Sequence, residues 1–258
     1  MNANSTYSIG KEHVTCEDYA ITGNDGELAY AIVCDGCSAS PDVDFGARVI
    51  AKSAEHMIKC YHNDNDVDYK LMGGMVIAKA KHIFDIFPRL HPQALDSTLL
   101  MAWVKNNKLR VFMYGDGIFV LRNKYGVHAQ QVHLTSGAPD YLSYYLNNDR
   151  ELAYSQLEDN VKELWTVDGV ISYDPFDHIP LDFEVEAGDT VSVISDGINS
   201  FRRSDNTPIH WRELVDEFTG YKTTEGEFVL RRMNAFKRKC LKEGITHYDD
   251  ISVASIVI

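Results

Sequence analysis

Three aspartates of this 258-residue chain each follow an apolar segment and precede a glycine. Asp35 comes after IVC, Asp116 after FMYG and Asp196 after SVIS. A fourth carboxylate, Asp249, lies with Asp250 directly before the apolar run ISVASIVI. Asp-Gly is a common turn dipeptide, so any one of these pairs could be a simple turn. Several such strand ends at one rim would instead form a single acidic cluster.

Carboxylates that crowd together repel one another, and a bound cation relieves that repulsion. Carboxylate and carbonyl oxygens are hard ligands, which favour Mg²⁺ or Mn²⁺ over zinc. The pattern therefore predicts a divalent-metal site at converging strand ends, provided that the fold brings those ends to the same rim.

The elements that would position this site are strands in hairpins and helices in blocks. Apolar runs bounded by glycines or turns predict strands over residues 28–34, 97–104, 109–114, 118–122, 127–134, 190–195 and 251–258. Helical spacing predicts a helix over 45–61 with Asp44 as its N-cap and a second over 72–87 that Pro88 ends. A late helix over 229–240 would be capped by Gly244.

This order of elements indicates an α+β fold, with helices outside antiparallel sheets, rather than an alternating βαβ fold. We find no internal repeat of about 20–50 residues and no Pro/Ser-rich linker. We therefore expect one domain over 1–258, in which the less regular, tyrosine-rich stretch 137–180 is a mobile insert or a helix with loops.

Composition and charge disfavour several classes of protein and of binding partner. Hydrophobic residues make up 45% and charged residues 24%, as in globular proteins. The net charge of -13 disfavours partners that are nucleic acids or anionic membranes. No run reaches the ~20 apolar residues that span a bilayer, and the first 13 residues do not resemble a signal peptide. Five irregularly spaced cysteines predict a reducing, cytoplasmic location rather than a disulfide framework.

Six short segments follow one another along the chain, namely Cys16-Glu17-Asp18-Tyr19-Ala20, Asp35-Gly36, Ser97-Thr98-Leu99, Gly115-Asp116-Gly117, Ser195-Asp196-Gly197 and Asp249-Asp250-Ile251-Ser252-Val253. Taken in order, these motifs resemble those of the metal-dependent PP2C (PPM) protein phosphatases, most of all a divergent bacterial branch. The first segment is similar to the family's Asn-Glu-Asp-Ala element, the second is similar to its metal motif, and the others look like further family motifs.

The resemblance implies two packed antiparallel β-sheets flanked by helices, an αββα sandwich. It also implies two bound Mg²⁺ or Mn²⁺ ions, which Asp35 would bridge, and a third, weaker ion near Asp116. Glu17 and Asp18 would act through water or around the ligands. Residues 137–180 would be the flap that affects substrate access. The full implied set of metal residues is Asp35, Gly36, Asp196, Asp249, Asp116, Glu17 and Asp18.

The reaction that the resemblance implies is hydrolysis of phosphoserine or phosphothreonine in proteins by a metal-activated water, without a phosphoenzyme. Its catalytic residues would be Asp35, Asp196, Asp249 and His13. The partner would be a phosphorylated protein whose phosphorylation by a serine/threonine kinase this reaction opposes.

Two positions depart from the family pattern. His13 stands where a phosphate-binding arginine is usual, and Cys37 stands where many members carry a histidine. Histidine binds phosphate only when it is protonated. An alternative is therefore a weak or inert module of the same fold that binds phosphoproteins or metal. Retention of Asp35, Asp196 and Asp249 favours the enzyme.

Three other patterns have competing interpretations. Cys34-Asp35-Gly36-Cys37 is formally a CxxC, but it lacks the βαβ setting of a redox motif. Cys60 and His62 match no zinc-finger spacing. The basic residues of the late helix, among them Lys237 and Lys242, form either a solvated face or a docking surface for an acidic or phosphorylated partner.

Overall fold

The computed structural model of the protein describes residues 1–64, 67–166, 168–179 and 181–258. Its helices are α1 (Val43–Tyr61), α2 (Tyr69–Phe84), α3 (Asn148–Ser155), α4 (Trp211–Thr219) and α5 (Phe228–Glu243). Its strands are β1 (Asn2–Ser8), β2 (Tyr19–Asn24), β3 (Leu28–Cys34), β4 (Leu99–Lys105), β5 (Lys108–Tyr114), β6 (Gly117–Asn123), β7 (Gly126–Leu134), β8 (Lys162–Trp165), β9 (Val170–Tyr173), β10 (Leu181–Glu184), β11 (Thr190–Ile194), β12 (Phe201–Arg202), β13 (Thr246–His247) and β14 (Ile251–Val257).

The strands form two large antiparallel sheets. The seven-stranded sheet has the order β1-β14-β11-β6-β7-β8-β9, and the five-stranded sheet has the order β10-β5-β4-β3-β2. A separate pair joins β12 to β13. The C-terminal strand β14 therefore lies inside the larger sheet, between β1 and β11.

Three apolar clusters hold four layers together. One lies between the two sheets and includes Val33 and Val193. A second packs α1 and α2 on the outer face of the five-stranded sheet, and a third packs α4 and α5 on the outer face of the seven-stranded sheet. Both faces of β3 are covered, which explains why LAYAIVC is apolar throughout. The αββα sandwich expected from the resemblance is confirmed.

The predicted hairpins and the late helix are present, but some boundaries differ. Gly244 caps α5 at a left-handed φ of 67°, as predicted. The predicted start of α1, with Asp44 as its N-cap, was wrong. The N-cap is Asp42, whose side chain accepts a hydrogen bond from the His91 N–H at 3.1 Å. Helix α2 ends at Phe84, before the predicted end at residue 87. Asp68 caps its start by accepting from the Leu71 N–H.

The stretch 137–180 contains a short 3₁₀ turn, α3, β8 and β9. Strand β8 pairs with β7, so part of this stretch extends the larger sheet. Its role as a flap, and the assignment of 1–258 as one domain, stay predictions. In the described ranges, no helix has the length and hydropathy needed to span a bilayer.

Candidate metal centre and active site

Strand register brings the predicted carboxylates toward one rim. Tyr19 pairs with Cys34, so Asp18 and Asp35, one residue beyond each, are neighbours. Ile194 of β11 pairs with Ile118 of β6 and with Val253 of β14. Asp196 follows β11, whereas Asp116 precedes β6 and Asp249 precedes β14, so these three carboxylates lie at the same end of the larger sheet. Asp35, at an end of the smaller sheet, is close enough for the charges of Asp18, Asp196 and Asp249 to act on it.

Backbone contacts fix these loops closely. The Asp35 N–H donates to Thr98 Oγ1 at 3.2 Å, and the Thr98 N–H donates to the Asp35 carbonyl at 2.8 Å. A Cβ on Gly197 would lie 1.6 Å from the Asp250 carbonyl oxygen. Only glycine therefore allows the loop after β11 to approach the loop before β14, which keeps Asp196 near Asp249.

The central carboxylates perturb one another electrostatically. Asp35, Asp116 and Asp196 are half-buried, so solvent can still reach the space around these carboxylates, which we call the recess. Dense surrounding protein, followed by the charges of Asp18 and Asp196, raises the pKa of Asp35 well above its usual range. Burial and then the charge of Asp196 do the same to the pKa of Asp116. These shifts indicate a site that favours added positive charge.

Two flanking carboxylates are shifted in the same direction. Burial raises the pKa of Asp18 to about 7, although Ser195 Oγ donates to its Oδ2 at 2.7 Å. The pKa of Asp249 is raised to about 6 by burial and by the charge of Asp196. Ser195 Oγ also accepts from the Ser252 N–H at 2.9 Å, so this hydroxyl connects Asp18 to β14.

Several buried carboxylate oxygens of this site lack hydrogen-bond partners within the described residues, which bears on whether the site suits a cation. Within the described residues, Oδ1 of Asp18, Oδ1 of Asp196 and Oε2 of Glu17 are buried and have no hydrogen-bond partner. Buried polar atoms are normally satisfied, so these oxygens are free to be ligands. In the same described ranges, no three His, Cys, Asp or Glu side chains already converge as a metal-coordinating group. The donor chemistry fits a hard divalent cation, although the side chains are not preset around one.

His13 is held by carboxylates on both sides. Its Nδ1 lies 3.0 Å from Asp250 Oδ2 and its Nε2 lies 3.3 Å from Asp249 Oδ1. Burial opposes the imidazolium, but Asp250, Asp249 and Glu17 outweigh it and raise the pKa of His13. Asp250 also accepts from the backbone N–H groups of Gly10 at 2.7 Å and Glu17 at 2.6 Å. The N-terminal loop is therefore anchored to the residue beside Asp249.

Other predicted residues have more varied surroundings. Glu17 Oε2 lies 3.8 Å from His13 Nδ1. Gly36 is tightly packed, because a Cβ at this position would lie 2.9 Å from Val43 Cβ and 3.0 Å from the Glu17 carbonyl oxygen. Cys34 is fully buried, and burial raises the pKa of its thiol, which disfavours a redox role. His62 contacts Lys105 at 2.9 Å rather than joining Cys60 in a zinc site.

Several residues of the 137–180 stretch reach the rim without any signal in the sequence analysis. Asp140 Oδ1 accepts from the Gly115 N–H at 2.6 Å, next to Asp116, and its Oδ2 pairs with the buried Lys162 at 2.9 Å. Tyr141 lies beside Cys37, and burial followed by that thiol raises the pKa of its phenol. Nothing in their spacing distinguishes these residues from surface polar residues.

A second contact joins this stretch to the loop that follows β3. Arg150 of α3 donates two hydrogen bonds to the buried Asp96, at 2.9 and 2.8 Å. The Cys37 N–H donates to the Asp96 carbonyl at 2.9 Å, and Ser143 Oγ donates to its Oδ1 at 2.6 Å. The wall of the recess near Cys37 is thus held by the same residues that hold α3.

The raised pKa values predict how the stability of the metal-free protein depends on pH. A carboxyl whose pKa is higher in the folded state stabilises the fold fully below its unfolded pKa near 4 and loses this contribution as pH rises through the folded value. For Asp249 and Asp18 the folded values are about 6 and about 7. In EDTA, we expect the free energy of unfolding to fall between about pH 4 and about pH 7, on the order of a few kcal/mol, chiefly through the fully buried Asp18.

Urea unfolding at three pH values in this window measures the slope. The Asp18→Asn variant should have a smaller slope, because Asn does not titrate. A free energy of unfolding that stays level or rises with pH in EDTA would contradict the carboxylate crowding described above.

This chain is similar to a known protein family over most of its length. The family model described as protein phosphatase 2C matches residues 8–236. No match to a curated protein sequence was found.

Three solved structures are similar in fold. The structure of the PP2C phosphatase domain with a fragment of the regulatory domain of the cell fate determinant SpoIIE from Bacillus subtilis has 16% identity and a TM-score of 0.59, and the match covers 100% of this chain and 63% of that chain. PppA, a regulatory component of T6SS in Pseudomonas aeruginosa, has 15% identity and a TM-score of 0.56, over 99% and 97%. PstP, known from Mycobacterium tuberculosis, was solved in complex with two manganese ions and has 14% identity and a TM-score of 0.50, over 99% and 97%. At these identities the likeness concerns the fold alone.

Proposed function

This chain belongs to the protein phosphatase 2C family, and on that basis we propose that it hydrolyses phosphoserine and phosphothreonine in proteins with the help of divalent cations. The observation that carries the proposal is the recess where carboxylates from separate strand ends crowd together with raised pKa values. A metal-dependent phosphatase needs such an oxygen-rich, partly accessible site.

We assign the two principal ions to Asp35, the Gly36 carbonyl, Asp196 and Asp249, and a third, weaker ion to Asp116. Glu17 and Asp18 would support this set. When bound, Mg²⁺ or Mn²⁺ ions supply positive charge to the phosphate and lower the pKa of water. The two manganese ions in the PstP structure and the unpartnered oxygens of Asp18 and Asp196 support this assignment.

The protein's own residues would orient the site and the phosphate. His13, fixed between Asp249 and Asp250, would hold Asp249 in place, and its raised pKa favours the positively charged imidazolium at the edge of the recess. The phenol of Tyr141 keeps its proton, because burial and Cys37 raise its pKa, and so can donate a hydrogen bond toward the recess. Water, rather than Cys37, would be the nucleophile, so no covalent phosphoenzyme forms.

The substrate would be a protein phosphorylated by a serine/threonine kinase, and the phosphatase would oppose that kinase. The net charge of -13 argues against a nucleic-acid partner. We also propose a cytoplasmic location, which the five unpaired cysteines support.

Hydrolysis of p-nitrophenyl phosphate and of a phosphothreonine peptide, first with Mn²⁺ and then with EDTA, tests the proposal. We expect turnover that requires Mn²⁺, without an initial burst of product, and a preference for the peptide over the small ester. The absence of turnover with any metal, in folded protein that still binds Mn²⁺, would instead identify a binding module. The histidine at position 13 and the cysteine at position 37 favour that second candidate.

A further inference from the structure

A groove of about 480 Å³ lies behind the loop that carries His13. One wall is the segment after β1 and the other is α5. Inside it, Met233 and Phe236 are almost fully buried, whereas Ile9 and Leu241 at its edges are 43% and 84% exposed. Exposed apolar side chains beside an apolar groove are typical of a binding surface.

Two lysines border this groove, and neither Lys11 nor Lys237 forms an ion pair with a carboxylate among the described residues. Lys237 is half-buried, the pKa of its ammonium is lowered by burial, and no carboxylate in the described ranges forms an ion pair with it. Lys11 lies over the ring of Tyr248, 5.4 Å from its centroid. By contrast, Arg232 and Lys239 on another face of α5 both pair with Glu217, at 2.9 and 2.6 Å. The groove therefore has uncompensated positive charge in a protein whose net charge is -13.

The groove and the recess share one loop. Lys11 of the groove wall is two residues from His13, so their Cα atoms are at most ~7 Å apart. The Lys11 N–H donates to the His247 carbonyl at 3.2 Å, and the Gly10 N–H donates to Asp250 at 2.7 Å. A ligand in the groove would thus touch the segment that is anchored beside Asp249. An extended peptide of a few residues, at about 3.3–3.6 Å per residue, could reach from the recess into the groove.

We propose that this groove binds the part of the phosphoprotein substrate next to the phosphorylated residue. A bulky apolar side chain would occupy the space between Ile9 and Leu241, and an acidic neighbour would face Lys11 and Lys237. The proposal rests on the proposed function, because a protein phosphatase must hold a protein segment beside its active site. An acidic peptide matches both the uncompensated lysines and the apolar lining.

The test uses the full chain with Mn²⁺ and two phosphothreonine peptides, one flanked by acidic and bulky apolar residues and one flanked by serine and glycine. Lys237→Glu reverses the charge in the groove, and Leu241→Ser removes apolar contact without a charge change. Lys242→Glu is the matched control, because it reverses a charge on the same helix outside the groove lining.

For Lys237→Glu we expect kcat/KM for the acidic, apolar peptide to fall about tenfold or more, mainly through KM, with a smaller fall for Leu241→Ser. Hydrolysis of p-nitrophenyl phosphate should be unchanged in all three variants. Equal losses in Lys237→Glu and Lys242→Glu, or equal kcat/KM for both peptides with the unmodified protein, would overturn the proposal.

Failure of the catalytic proposal has a different signature. If the unmodified protein does not hydrolyse p-nitrophenyl phosphate, fluorescence anisotropy of the labelled acidic peptide tests whether the groove binds peptide, independently of catalysis. Binding that Lys237→Glu weakens and Lys242→Glu does not would support the groove without catalysis. No binding would refute the groove as well.

Discussion

Replacing Asp35 by Asn is expected to abolish phosphate-ester hydrolysis and, at the same time, to stabilise the metal-free protein. The carboxylate of Asp35 is crowded, since burial, Asp18 and Asp196 all raise its pKa well above the usual range. Asparagine keeps the shape but removes the charge that a cation needs. We expect kcat to fall at least ~100-fold, the scale of losing a key electrostatic group.

The opposite changes in activity and stability make this prediction specific. In EDTA at pH 8, the variant should unfold at a higher temperature than the unmodified protein, because one source of repulsion is absent. Mn²⁺ should raise the unfolding temperature of the unmodified protein and should do so much less in the variant. Asp182→Asn, which alters an exposed carboxylate paired with Arg110, is the control. Residual turnover in Asp35→Asn near the unmodified level would show that the metal site lies elsewhere.

Replacing Lys162 by Met is expected to cost about 3–5 kcal/mol of stability, which is the usual cost of leaving a buried charge unpaired. The ammonium is 1% exposed, lies 2.9 Å from Asp140 and also donates to the Asp177 carbonyl at 3.1 Å. Without it, Asp140 would keep its hydrogen bond from Gly115 but lose its counter-charge. Because that hydrogen bond adjoins Asp116, the affinity for a weaker third ion should fall too.

Urea unfolding of three variants measures this effect. Lys124→Met breaks an exposed pair with Glu186 at 2.7 Å and should cost far less stability than Lys162→Met, because solvent screens this pair. The double variant Lys162→Met/Asp140→Asn should recover most of the loss, since Asn still accepts from the Gly115 N–H and carries no charge. The loss should shrink as the pH is lowered, because burial raises the pKa of Asp140 and so helps this carboxylate to take up a proton. If Lys162→Met costs no more than Lys124→Met, the buried pair contributes little to stability.

The local hydrophobic pattern of the sequence predicted those helices and strands whose apolar faces are buried against neighbouring elements. Strand β3 and helix α5 lie where their sequences indicate, because burial on both faces or on one helical face produces a clear pattern. Strand β1 has the polar sequence NANSTYS and was not predicted. It exists because each of its residues pairs with β14, from Asn2 with Val257 to Ser8 with Ile251, and such pairing leaves no periodic pattern.

Some residues of the candidate site were likewise predicted from the sequence, and others were not. Its carboxylates were predicted because each follows or precedes a strand and matches a family motif in order. Lys162 and Asp140 were not, because they are 22 residues apart and neither follows a periodic rule. A lysine that is 1% exposed has the same letter in the sequence as one in solvent, and only the tertiary contacts distinguish them.

The pairing of β1 with β14 has a consequence for biosynthesis. Residue 2 pairs with residue 257, so the final strand must close a loop of almost the whole chain before the larger sheet is complete. Contacts of such high sequence separation form slowly and late. Until the ribosome has added residues 249 and 250, Glu17 and Asp18 have been made but lack Asp249 and its neighbour Asp250. The acidic recess can therefore assemble only after translation has reached β14, and a nascent chain should be inactive until then.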